Sequence, residues 1–227
     1  MRAGLHLDAR LSCIAELIGS AETVADIGCD HGRLGAYLLQ KDIARRVVFT
    51  DISEPSLEKA RQLVERLWLA DRAVFGVGDG AFALREAPDA AVIAGMGGET
   101  MAGVIERGQA ILRDARLVLQ PGLDHPILRR ALADLGYRIA DERIVRAAGR
   151  LYIAILAERG TAEYSPEDLV IGPVLRRERP ALLGDFAAFR IRVLKKALAG
   201  AEAGGDEASA AQAREELRIW EDNGPWQ

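Results

Sequence analysis

Residues 23–32 read Thr23-Val24-Ala25-Asp26-Ile27-Gly28-Cys29-Asp30-His31-Gly32, and this stretch decides the fold. An apolar run closes on an acid, and glycines follow two and six residues later. That is how a buried parallel strand turns tightly into a helix above a nucleoside-bearing ligand, because glycine lets the backbone approach where a side chain would clash. The spacing is D-x-G-x-D-x-G. The middle glycine of the dinucleotide fingerprint is missing, and Asp30 stands where that glycine would admit a pyrophosphate. A carboxylate there repels phosphate and suits a ligand with a cationic centre and an amino group, which points to S-adenosylmethionine rather than NAD.

Working outward, the chain alternates between strand and helix patterns. Leu7, Leu11, Ile14 and Ile18 recur at helical spacing before the first strand. Arg46–Thr50 reads as a second strand ending at Asp51. Ser53 and Pro55 then start a helix whose apolar face is Leu57, Ala60, Val64 and Leu67. Ala73–Val77, Ala90–Ala94 and Arg116–Gln120 are three more strands. One helix carrying Met101, Val104, Ile105 and Ile111 follows the fourth, and another helix follows the fifth. Tyr137–Val145 and Leu151–Ala157 lie so close in sequence that only a hairpin can join them. The expected fold is α/β: a Rossmann-like, doubly wound, mostly parallel sheet with a closing antiparallel hairpin. Beyond Gly160 the strand signal stops. Pro180 opens a long helix with Leu182, Leu183, Phe186, Phe189, Val193 and Ala197 inward. Ala199–Gly205 breaks it, and a second helix turns Ala210, Ala213, Leu217 and Trp220 to one side. The expected division is 1–161 for the Rossmann-like domain and 162–227 for a small α-helical, coiled-coil-like hairpin.

Composition narrows the class. Of 227 residues, 49% are hydrophobic and 28% charged, the balance of a globular chain. No apolar stretch approaches the roughly 20 residues a membrane span needs, and Met1-Arg2-Ala3-Gly4-Leu5-His6 has no apolar leader core. Two cysteines, Cys13 and Cys29, are too few for a disulfide framework or a zinc site. The expectation is a cytoplasmic chain with no membrane contact and no metal. The net charge of −4 is unevenly spread: residues 176–196 hold seven basic side chains against two acids, and 129–150 six against three. Such runs are often only solvated faces, but two of them flanking a domain junction favour an anionic partner.

The strand ends carry the chemistry. Asp51, 25 residues after Asp26, can accept hydrogen bonds from both ribose hydroxyls, although alone it would read as a helix cap. Asp79, between Gly78 and Gly80, can hold an adenine amino group or simply make a turn. Gly95-Met96-Gly97-Gly98 has more glycine than a turn requires, so backbone N–H groups converge there and Met96 can pack on a flat ring. Cys29 reads as a packing residue, since nothing near it in sequence supplies an activating base. His31 either acts on a substrate proton or hydrogen-bonds its own turn.

These motifs resemble one family. Asp26-Ile27-Gly28-Cys29-Asp30-His31-Gly32, Gly78-Asp79-Gly80, Ile93-Ala94-Gly95-Met96-Gly97-Gly98, Leu119-Gln120-Pro121, Leu128-Arg129 and Gly172-Pro173 are similar, in order, to the bacterial tRNA (adenine-22-N1)-methyltransferases. Two departures are Gly35, where that family usually has proline, and Asp51, where some members have glutamate. The resemblance implies S-adenosylmethionine as cofactor, tRNA as partner, and methylation of N1 of an adenine in the D-arm region; a monomer or weak dimer is the expected state. It implies a cofactor site of Asp26, Gly28, Cys29, Asp30, Gly32, Asp51, Ile52, Asp79, Gly80, Gly95 and Met96, with Asp30 and His31 as catalytic candidates. The substrate side would comprise Met96, Gly97, Gly98 and Tyr37 around the base. Arg129, Arg130, Arg190, Arg192, Lys195 and Lys196 would lie along the phosphates, with the helical tail holding the tRNA. The alternatives are the same fold methylating another substrate, or a non-catalytic RNA-binding protein that keeps the fold.

Overall fold

Short buried runs and amphipathic runs take turns through the first 160 residues and fold as strands and helices. In chain order they are α1 (Ala9–Ile18), β1 (Ala21–Ile27), α2 (Arg33–Gln40), β2 (Ala44–Asp51), α3 (Glu54–Arg66), β3 (Ala73–Val77), β4 (Ala90–Met96), α4 (Gly98–Arg107), α5 (Gln109–Leu112), β5 (Arg116–Pro121), α6 (His125–Asp134), β6 (Tyr137–Ala147) and β7 (Arg150–Arg159). The computed structural model describes residues 4–226. Met1, Arg2 and Ala3, part of the segment read above for a leader, lie outside the described residues, as does Gln227. The chain forms two compact units, one ending at Glu163 and the other starting at Tyr164.

The seven strands make one sheet in the order β3-β2-β1-β4-β5-β7-β6. β1 to β5 are parallel, and β7 is antiparallel to both β5 and β6. The expected mostly parallel sheet with a closing hairpin is the one observed. The chain steps outward from β1 to β3 and then returns to place β4 on the other side of β1. That reversal opens a crevice at the carboxyl ends of β1 and β4. Val24, Ala25 and Ile27 of β1 and Ala90–Ile93 of β4 are fully buried, as central strands covered on both faces must be. On one face Ile14, Ile18, Leu38, Leu39, Leu57 and Val64, from α1, α2 and α3, pack with Val47, Phe49 and Val92. α4 and α6 pack on each other and on β4, β5 and β6.

Four local expectations are corrected. The hairpin link is two residues, Ala148 and Gly149, both with positive φ, a geometry that matches strand twist and lets β6 and β7 extend to the turn. The helix after β4 stops at Arg107 and restarts at Gln109, because Gly108 lies so close to Ala81 that a Cβ would meet that side chain at 2.5 Å. In the second unit α7 (Pro166–Ile171) and α8 (Pro173–Glu178) precede the long helix α9 (Leu183–Gly204), which α10 (Glu207–Asp222) follows. α9 runs through the Ala199–Gly204 stretch. Its alanines favour helix, and an Arg214–Glu202 pair at 2.9 Å ties that end to α10; the break is Gly205 alone, at φ 70°. The inward face of α9 is Leu183, Phe186, Ala187 and Leu194, with Phe189 and Ala197 exposed, whereas the expected face of α10 is buried. Among the described residues no helix is long and apolar enough to cross a membrane.

Arg129 is a further correction. It lies on α6 with its side chain 0% exposed, and its Nε donates to Glu142 Oε1 of β6 at 2.8 Å, also at 0% exposure. It therefore cannot serve as a phosphate contact. A buried charge stripped of its counter-ion is costly. Arg129→Met is expected to lower stability by about 3–5 kcal/mol, and adding Glu142→Gln should restore part of the loss. Urea denaturation of the two variants checks both.

Candidate active site

The carboxyl ends of β1 to β4 and the start of α1 surround a cleft of about 680 Å³, a size suited to a nucleoside-bearing cofactor. Of the residues expected to hold one, Asp26, Gly28, Cys29 and Asp30 line it after β1, and Asp51 and Ile52 after β2. Asp79 and Gly80 line it after β3, and Gly95 and Met96 at the end of β4.

The first turn is built on positive φ values: Gly28 at 71°, Asp30 at 49° and Gly32 at 65°. Aspartate tolerates that conformation better than most side chains. The N–H groups of Gly28 and Cys29 both donate to Thr50 O, at 2.8 and 3.0 Å. The Asp30 N–H donates to Asp51 Oδ2 at 3.0 Å, and the Ser53 N–H donates to Asp51 Oδ1 at 2.9 Å. One carboxylate thus holds two turns in register. Gly32 lies outside the cleft wall, which corrects its expected cofactor role. It begins α2 against α3, where a Cβ would lie 2.6 Å from the Ala60 Cβ. Having no side chain, Gly32 cannot cap α2. Asp26 does so from the neighbouring strand, its Oδ2 accepting from the Gly35 N–H at 3.1 Å. Gly35 itself lets α2 press on β2, since a Cβ there would meet the Phe49 ring at 2.3 Å.

Burial dominates the electrostatics of this turn. Asp26 is 5% exposed, and desolvation pushes its carboxyl up to about 6, only partly opposed by the Gly35 N–H. Burial also pushes the Cys29 thiol well above its ordinary range, so it packs rather than reacts. Asp30 and His31 stand on the open rim with side chains 73% and 49% exposed. His31 Nδ1 is 3.4 Å from Asp30 Oδ2, and His31 Nε2 is 3.0 Å from the Lys59 ammonium on α3. His31 thus bridges Asp30 and Lys59.

After β4, Gly95 at φ 78° has open space where a Cβ would stand. Gly28 and Met96 approach so closely that a Cβ on Gly28 would lie 2.3 Å from the Met96 Cε. Gly97 and Gly98 start α4 beside the cleft rather than lining it. Gly98 abuts the loop after β5, where a Cβ would lie 2.4 Å from Asp124 O. Tyr37 is also displaced from its expected place. It sits in the second half of α2, which runs away from the cleft at about 1.5 Å per residue. There its ring packs on the core under Lys41.

Among the basic candidates, Arg130 and Arg192 are exposed, as is Lys196. Lys195 pairs with Glu221 at 2.9 Å. Arg190 is mostly buried against Glu216 at 2.9 Å and so braces α9 on α10. Cleft residues missed from the sequence include Asp8, Arg10, Arg33 and Thr100. The Asp8-x-Arg10 pair at a helix start was the available signal, overlooked because α1 reads first as a packing helix.

A family model for a methyltransferase domain matches residues 7–155. The tRNA (adenine(22)-N(1))-methyltransferase of Bacillus subtilis is 31% identical over 186 residues, covering 78% of each chain. The crystal structure of the B. subtilis M1A22 tRNA methyltransferase TrmK superposes with a TM-score of 0.87 at 25% identity, covering 96% of this chain and 99% of that one. The Streptococcus pneumoniae protein Sp1610 in complex with S-adenosyl-L-methionine gives 0.84 at 25%, covering 94% and 97%. Sheet, crevice and matches define a Rossmann-type methyltransferase that uses S-adenosylmethionine. The chain belongs to the tRNA (adenine(22)-N1)-methyltransferase family.

Asp26 gives this site a pH signature. In the folded chain the carboxyl holds its proton up to about pH 6, against 3.8 for the free group. Between those values the folded state binds more protons than the unfolded one, so the contribution of Asp26 to stability falls as pH rises through that window. Asp26→Asn stays neutral and can still accept from Gly35. Relative to it, the wild type should lose about 2.4 kcal/mol between pH 4 and 7, read from urea unfolding at stepped pH.

Proposed function

We propose that this chain methylates N1 of adenine 22, in the D-arm region of tRNA, using the cleft at the ends of β1 to β4. The observation that carries the reading is the charge of that cleft. Asp8, Asp26, Asp30, Asp51 and Asp79 line it against two arginines, which suits a cationic, nucleoside-bearing cofactor. When bound, S-adenosylmethionine supplies a methyl on a cationic sulfur, which adenine N1 takes with its own lone pair, so charge passes to the base and no proton need be removed.

The chain's task is then alignment and charge stabilisation. Asp51 keeps lone pairs free beside its two amide contacts and accepts from the ribose hydroxyls. Ile52 covers the nucleoside and Asp79 takes the adenine amino group. Gly28 and Gly95 let the backbone close on the ligand. Asp30 provides negative charge near the base as it becomes cationic, with His31 as its partner. N1 lies on the Watson–Crick edge, so the target must leave the stack, and Met96 at the cleft wall receives it. Arg130 and Lys196 are exposed and can meet phosphates, as can Arg192 from above the Phe189 ring, and Lys195 can exchange Glu221 for one. The helical unit from residue 162 onward holds the tRNA. A cytoplasmic setting, no metal, and action as a monomer or weak dimer complete the reading.

Transfer of labelled methyl to bulk unmodified tRNA, followed by mapping of reverse-transcription stops, tests it. One strong stop in the D-arm region is expected, whereas methylation of only proteins or small molecules would redirect the reading to another substrate. Asp30→Ala should lower kcat at least about tenfold with cofactor affinity little changed; full activity would remove its assigned role. Neutralising Arg192 and Lys196 together should reduce the slope of log affinity for tRNA against log salt by about two, as titrations at several salt concentrations would show.

A further inference from the structure

The loop after β5 leaves a large apolar side chain in water beside the wall that receives the target base. Leu123 is 59% exposed, and Ile127, four residues later on α6, is 41% exposed. The backbone that carries Leu123 is nevertheless held. The Gly122 N–H donates to Met96 O at 2.9 Å, and the Gly98 N–H donates to Leu123 O at 3.0 Å. The loop is thereby tied to both ends of the segment from Met96 to Gly98. On its other side, Asp124 at φ 59° and Pro126 in the first turn fix the start of α6. Leu123 directly precedes the N-cap, a position from which an apolar side chain ordinarily folds back onto the fourth helical residue. That residue, Leu128, is fully buried, and Leu123 is left outside. Packing within the chain makes little use of a side chain that the loop presents so firmly.

Its place in the sheet says what it meets. Ile52 and Val77, the exposed apolar residues after β2 and at the end of β3, stand toward the edge that carries Asp51 and Asp79, whereas Leu123 follows β5 on the far side of Met96. Leu123, Ile127 and Arg130 also keep the spacing of one helix face, and Arg130 is exposed. Proteins that open a nucleic-acid stack insert leucine, isoleucine or similar side chains between base steps, and basic side chains hold the flanking phosphates. An adenine that presents N1 must leave its stack, and the gap it vacates is lined by apolar base faces. We propose that Leu123 is the wedge that fills this gap in the tRNA, with Ile127 against the adjoining base and Arg130 on a neighbouring phosphate. The inference rests on tRNA adenine N1 as the target and on Met96 as the wall that receives it.

A tRNA transcript with 2-aminopurine at position 22 reports the opening, since stacking quenches the fluorescence of this adenine isomer. Methyl transfer to the adenine transcript reports the consequence. With the full chain and S-adenosylhomocysteine, the wild type is expected to brighten the 2-aminopurine transcript. Leu123→Ala should lose most of that rise. Because opening precedes transfer within the complex, the same variant should lower kcat by about tenfold, with KM for tRNA and affinity for S-adenosylhomocysteine little changed. Leu123→Met, which keeps an apolar side chain of similar reach, should restore both fluorescence and kcat. Wild-type fluorescence and kcat in Leu123→Ala overturn the proposal. So does a defect confined to KM for tRNA, which would make Leu123 a docking contact alone. A loss of S-adenosylhomocysteine affinity would make it a cover over the cofactor and overturns the proposal too. A wild type that methylates the adenine transcript elsewhere and leaves 2-aminopurine 22 dark removes the target assignment, and the proposal with it.

Discussion

The site depends on one carboxylate shared by two backbone turns. Asp51 accepts from the Asp30 N–H on one oxygen and from the Ser53 N–H on the other. This fixes the β1–α2 turn against the β2–α3 turn, adding to the strand pairing and the two amides on Thr50 O. Charge-assisted bonds of this kind are roughly twice as strong as neutral ones. They hold Asp30 in a left-handed conformation with its side chain out over the rim. Asp26, one strand position before the turn, performs the complementary task by capping α2 from outside the helix. A bound nucleoside would therefore meet a surface already set in shape.

The same economy of groups accounts for the cleft's chemistry. The transfer to adenine N1 needs no base, so the acids of the cleft can serve turn geometry and charge rather than proton removal. Five aspartates against two arginines give the cleft its predominantly acidic lining. Helices α9 and α10 bury Phe186 and Trp220 between them with ring centres 6.0 Å apart, a rigid support for exposed basic side chains.

Much of this was legible in the sequence, for stated physical reasons. Strand ends announce themselves by an apolar run closing on Asp or Gly, so Asp26, Asp51, Asp79 and Gly95 could be placed at one edge of the sheet before any coordinates. What the sequence hid were tertiary identities. Arg129 and Arg130 look alike in a basic run, yet helical geometry turns one into the core beside Glu142 and leaves the other in solvent. Gly28, Gly32 and Gly98 look alike in glycine-rich motifs, yet only Gly28 faces the cleft. Gly32 and Gly98 serve close packing on α3 and on the loop after β5. Tyr37 was placed near the base because it follows the motif, but the direction of α2 carries it away. Arg10 was overlooked because an amphipathic first helix explains itself as packing.

The account stands or falls on the product, and nucleoside mass spectrometry reads it most directly. Purified chain and S-adenosylmethionine would be incubated with an unmodified tRNA transcript, and with one in which guanine replaces adenine 22. The account predicts 1-methyladenosine from the first transcript and none from the second. Equal methylation of both, or a methylated adenosine other than the N1 product, would contradict it.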